Sequence, residues 1–189
     1  MTQLEETPFL AEISELTDYI ATNQKVSEVF YKAIEVIIAC LPSQNVLIAE
    51  LKLEGEKILY RANHKPEKCK IEKNFALPSS VFNILLDDFT NIDFANHDHC
   101  KLLETLFGNE KIHQGVSVLI PGQQRPIGII LICASKLVQF SAAQLAYIKT
   151  IASILGNVLN THRLFQKTAL ELRNVEGAKC DLESIIDSA

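Results

Sequence analysis

No two cysteines in this chain are spaced as CxxC, and the five present (Cys40, Cys69, Cys100, Cys133, Cys180) are odd in number and scattered. That pattern excludes a zinc ribbon or a disulfide framework, so they read as free thiols in a reducing compartment. Cys40 and Cys133 sit inside apolar runs, where a thiol behaves as a small, inert hydrophobe. Excess positive charge is also lacking. With 18 Lys+Arg against 23 Asp+Glu, the formal net charge is −5, and no global basic field favours nucleic acid or an anionic membrane. The longest apolar runs, such as PIGIILICA at 126–134, fall well short of the roughly 20 residues a bilayer span needs. The opening MTQLEETPFLAEISELTDY carries acids and has no apolar h-region, unlike a signal peptide, so the expected location is the cytoplasm, without membrane insertion. No Walker, GxGxxG or Ser/His/Asp arrangement is present.

What remains is an ordinary globular composition, with 48% hydrophobic and 22% charged residues over 189 positions. That is enough for one domain with a well-buried core and a helical appendage. Thr7-Pro8 resembles a helix start, and Phe9, Ile13, Leu16 and Ile20 follow at helical spacing. A second helix is expected from Val26 to Leu41, stopped by Pro42. Residues Val46 to Leu53 then alternate, with Leu47, Ala49, Leu51 and Leu53 on one face and Val46, Ile48, Glu50 and Lys52 on the other. Glu54-Gly55-Glu56 leads into a second strand, Lys57 to Ala62, and the pair reads as a hairpin. Val116 to Ile120 and Ile127 to Ala134 flank the turn PGQQRP. The second of these is apolar on both faces, which places it mid-sheet under cover from both sides. The fold class is therefore α+β. Residues 65–113 read as loops with short helices at Ser79 to Asp87 and Lys101 to Phe107; such long connections are usually functional.

From Ser141 the pattern is one long helix, opened by the staple and cap of Phe140-Ser141. Leu145, Ile148, Ala152, Leu155 and Leu159 form one apolar stripe. Ile151, Ile154, Val158, Phe165, Leu172, Val175, Leu182 and Ile186 form another at heptad-like spacing, interrupted by Thr161, Thr168 and Lys179. Two stripes call for two partners: the chain's own sheet and first helix, and most simply a sister subunit; the alternative is one broad intramolecular face. Gly177 is a candidate joint. The expected organisation is an N-terminal helix at 1–24, a domain at 25–165 and a linker helix at 166–189.

Over about 25–165 the chain resembles the GAF family of sensory domains. GVSVLIPGQQRPIGIILICAS is similar to that family's strand–turn–strand, with a Ser-apolar-apolar-Pro segment followed by "iGvL". QFSAAQLAYIKTIAS is similar to its helix start, with Gln144 where an acid is usual, and GNVLNTHRLFQ to the helix end "iAieNarLy". The resemblance implies a central antiparallel sheet of about six strands, with the N- and C-terminal helices on one face. A ligand cleft lies under loops and short helices on the other, and a long C-terminal signalling helix follows. CDLESIIDSA resembles the opening of a PAS domain, which implies a downstream PAS module and a histidine kinase or cyclic-di-GMP output in the same chain. The function so implied is that of a dimeric bacterial sensory input domain, not itself an enzyme. The alternatives are a ligand-free dimerisation scaffold and a redox enzyme of the methionine sulfoxide reductase type. This chain does not reproduce the cysteine trio of that enzyme.

Phe75, Phe82, Phe89 and Phe94, with Cys100 and Ser117, are the candidates for a cleft that takes a small molecule. The phenylalanines equally suit a cleft plugged by a dry core. His97, His99, Cys100 and His113 are the residue types that bind zinc, iron or copper. Positions 97–100 are nearly adjacent, however, and few of them can point at one centre without a tight turn, which disfavours metal or haem. A bilin thioether at Cys100 is disfavoured because Lys101 follows it and the family's Asp-containing motif is not evident.

Overall fold

The computed structural model describes residues 7–23, 25–41, 45–52, 57–65, 68–76, 114–134 and 140–187. Two helices come first, α1 (Thr7–Thr22) and α2 (Val26–Cys40). Strands β1 (Asn45–Lys52), β2 (Lys57–Lys65), β3 (Lys68–Ala76), β4 (Gln114–Ile120) and β5 (Gly128–Ala134) follow, and α3 (Ala142–Asp187) closes the order. The strands form one sheet in the order β3-β2-β1-β5-β4, with every neighbouring pair antiparallel. The strand apolar on both faces, β5, is flanked by β1 and β4, as that pattern demands.

Alternation along the central strands separates two layers. Val46 and Ile48 of β1 pair with Ile132 and Ile130 of β5, which pair in turn with Val116 and Val118 of β4. All six join one core with Val29, Phe30, Ala33, Ile34 and Ile37 of α2 and Ile148, Ile151, Leu155 and Leu159 of α3. Helix α1 adds Leu16, which is fully buried, so this first helix is part of the same core rather than a separate appendage. Burial of each such side chain stabilises the fold by about 1.5–3 kcal/mol, enough to hold short helices that would be marginal alone.

Local sequence fixes the start of α3. Ser141 Oγ accepts from the Gln144 amide at 3.2 Å, while Gln144 Oε1 accepts from the Ser141 amide at 2.8 Å. This reciprocal capping box shows glutamine doing the work of the usual acid. One turn on, Tyr147 donates to the Val36 carbonyl at 2.9 Å and stacks on Phe9 with ring centroids 4.8 Å apart, tying α3 to both other helices. Gly156 lets the helix lie against the β4–β5 turn: a Cβ there would meet the Pro121 carbonyl oxygen at 2.5 Å.

Several expectations are corrected. The stretch from residue 65 was expected to be irregular, yet β2 runs to Lys65 and β3 follows after two residues. Of the about six strands expected, five are found among the described residues. Helix α3 passes through Gly177 without a break, so the joint expected there is absent. Part of α3 is long and apolar enough to cross a membrane by length and composition alone. Its residues Ile148, Ile151, Leu155 and Leu159 are fully buried against this protein's own sheet and helices, which accounts for that apolarity. The short helices expected at Ser79 to Asp87 and Lys101 to Phe107 lie outside the described residues.

Candidate functional site

The face of the sheet away from the helices is where alternation puts Asn45, Leu47, Ala49 and Leu51 of β1 and Ile129, Leu131 and Cys133 of β5. All seven are buried. Across β5, Leu131 pairs with Ser117 of β4, so Leu47, Leu131 and Ser117 form one row, and Asn45, Cys133 and Gly115 the next. Ser117 is 3% exposed, and its hydroxyl finds no hydrogen-bond partner among the described residues. A buried hydroxyl left in that state costs about 1–3 kcal/mol unless a water or a bound molecule satisfies it.

Of the expected cleft residues, Ser117 is thus placed on the second face. Phe75 lies in β3, opposite Ile58 of β2, with β2 and β1 between that strand and β5. Phe82, Phe89, Phe94 and Cys100 lie outside the described residues, as do His97, His99 and His113. Among the described residues no group of three or more His, Cys, Asp or Glu converges as a metal site. Cys133 is buried and Cys40 half-buried. Burial pushes the Cys40 thiol up, against the opposing pull of the Tyr147 hydroxyl, so this sulfur is held in its unreactive protonated form.

On the opposite side, a cleft of about 550 Å³ opens between the end of α1 and the middle of α3. Its walls include apolar Ile20, Val158 and Phe165 and polar Asn157, Thr161 and His162. The second stripe of α3 divides here. Ile151 is fully buried by its own chain, and Ile154 and Val158 pack partly against the same core. The expectation that the stripe meets a sister subunit from Ile151 onward is therefore corrected at that residue. From Leu164 to Lys179 every residue is exposed, with Phe165 at 70%, Leu172 at 57% and Val175 at 67%. Leu182 and Ile186 continue the spacing along the same helix.

At the point where α3 leaves the globule, Arg163 reaches the sheet. Its Nε donates to Glu50 Oε1 at 2.8 Å and its Nη2 to the Leu51 carbonyl at 2.9 Å. Glu50 is only 3% exposed, and Arg163 36%. Sequence reasoning missed this pair, which joins positions 113 residues apart. The one available signal was a glutamate inside the apolar run of β1, since a buried carboxylate needs a partner.

No protein-family model and no curated protein matches this sequence. Solved structures do match in fold. The GAF domain of an Acinetobacter phosphoenolpyruvate-protein phosphotransferase superposes with a TM-score of 0.66 at 13% identity, covering 87% of this chain and 97% of that one. Free methionine-R-sulfoxide reductase from Neisseria meningitidis, in complex with its substrate, gives 0.65 at 12% identity, over 87% and 95%. The GAF domain of a two-component sensor histidine kinase from Bacillus halodurans gives 0.59 at 12% identity, over 76% and 99%. The fold is that of the GAF domains. Because it carries regulatory modules and an enzyme alike, it does not by itself assign an activity.

Proposed function

We propose that this chain is a sensory input domain of a cytoplasmic signalling protein that binds a small molecule on the second face of its sheet. In this reading α3 relays the bound state, as one helix of a homodimer, to a PAS-like module and a histidine kinase or cyclic-di-GMP output downstream in the same protein. The observation that carries this reading is the division of α3. One half is locked into the core, while the other leaves it with Phe165, Leu172 and Val175 uncovered. An exposed apolar row on a single helix calls for a partner, and the heptad-like spacing suits a second copy of the same helix. The non-enzyme part of the reading is supported by the regulatory GAF domains among the fold's relatives.

A ligand changes the output only through unequal affinity for two arrangements of the helix. The buried, unsatisfied Ser117 hydroxyl favours such a ligand. The thorough burial of Leu47, Ala49, Leu131 and Cys133 favours the second reading, a dimerisation scaffold whose face is filled by the protein itself. Native mass spectrometry on protein purified from cells separates the two. A retained small molecule that is lost in Ser117→Val supports the sensor. A bare chain from every growth condition, with the dimer intact, leaves the scaffold.

A further inference from the structure

The contact between Arg163 and β1 sits where two features of the fold meet. Among the described residues, Leu159 is the last fully buried one of α3, and from Leu164 to Lys179 the helix is exposed throughout. Arg163 thus ties the helix to the sheet just before that exposed stretch. It grips β1 at an irregular place: pairing with β2 shifts register between Glu50 and Leu51, Glu50 facing Tyr60 and Leu51 facing Ile58. The extra residue is Leu59 of β2, and a bulge of this kind increases the local twist of the pair and commonly re-aims the side chains beside it. The residues on either side of Glu50, Ala49 and Leu51, belong to the buried second face, whereas Glu50 belongs to the helix face. Two successive peptide units therefore carry both the floor of the proposed ligand face and the anchor of the outgoing helix.

The geometry points to Arg163 as a positioning residue. Its two-pronged hold on Glu50 and the Leu51 carbonyl fixes the direction in which α3 leaves the fold. The end of β1 that faces the β2 bulge is then the place where a change on the second face reaches the helix. The first statement stands on the contacts alone; the second rests on the relay reading above. Guanidinium suits the task because its planar fork makes both bonds at once, whereas a lysine ammonium acts as a single point charge.

The test measures the helix's direction rather than its stability. Spin labels on unnatural residues at Glu35 of α2 and Arg173 of α3, both exposed, report the intrachain distance by pulsed electron resonance. The Phe165→Glu background removes any influence of a sister helix. With Arg163 present a single narrow distribution is expected. Arg163→Gln should broaden it about twofold, and Arg163→Lys, which keeps the charge but not the fork, should fall between them. Lys167→Gln, which loosens only the exposed pair with Glu171, should leave it unchanged. An unaltered width in Arg163→Gln, even with a lowered melting temperature, would overturn the proposal. Should that variant fail to fold, Arg163→Lys decides by the same criterion. If Arg163→Gln broadens the distribution but no small molecule shifts the wild-type one, the positioning role stands and the relay through the second face is lost.

Discussion

At the scale of single residues, the informative side chains are those whose chemistry disagrees with their surroundings. Ser117 carries a hydroxyl into an apolar layer without a partner among the described residues. Ser117→Ala should therefore raise the stability of ligand-free protein by about 1 kcal/mol in urea unfolding; a loss instead would show that the hydroxyl is already satisfied. Tyr147 is the opposite case, buried and donating to the Val36 carbonyl. Burial first, then the neighbouring Cys40, raises its ionisation above the ordinary tyrosine range. The folded state thus favours the protonated phenol. Its contribution is fully present below the unfolded value, about pH 10, and is lost as pH climbs from there toward the raised folded value. Tyr147→Phe should lower stability by about 1 kcal/mol at neutral pH and flatten the alkaline decline, as urea titrations at neutral and alkaline pH would show. Glu50 shows how far a sequence can be read at this scale. A carboxylate in an apolar strand announces that it needs a partner, but nothing in the spacing announces Arg163, because the contact is made by tertiary folding alone.

Elements were legible where periodicity was clean. The capped start of α3, the double-sided burial of β5 and the extent of α2 follow from such clean local patterns. β3 was missed although Cys69, Ile71 and Phe75 alternate with polar neighbours, because Lys73 falls on the apolar side and interrupts the period. The second stripe of α3 was misjudged at Ile151 for a geometric reason. A straight helix has 3.6 residues per turn, so a strict seven-residue repeat drifts by about 20° per heptad. Residues at one end of such a row turn toward the chain's own core while those at the other face outward. Two glycines in α3 make opposite predictions that test this packing. Gly177 has open space around it, so Gly177→Ala should gain about 1 kcal/mol from helix propensity. Gly156 presses on Pro121, so Gly156→Ala should cost about 1–3 kcal/mol despite the same propensity gain. Thermal unfolding of the two variants reads both signs. The expected metal and cleft residues between Phe82 and His113 offered no period to read, and they lie outside the described residues.

At the scale of the whole molecule, central strands buried on both faces carry a last helix that belongs to two environments. Up to Arg163 the helix is held by its own core; beyond it, Phe165, Leu172 and Val175 are exposed. Fold likeness at 12–13% identity establishes the architecture and leaves the signal open. The relay reading therefore stands or falls on assembly. Sedimentation equilibrium of the intact chain beside Phe165→Glu/Leu172→Glu measures it directly. The account predicts a particle of two 21.1 kDa chains for the unaltered protein and of one for the double variant, with unchanged near-ultraviolet dichroism. A single-chain mass for the unaltered protein throughout the micromolar range would contradict it.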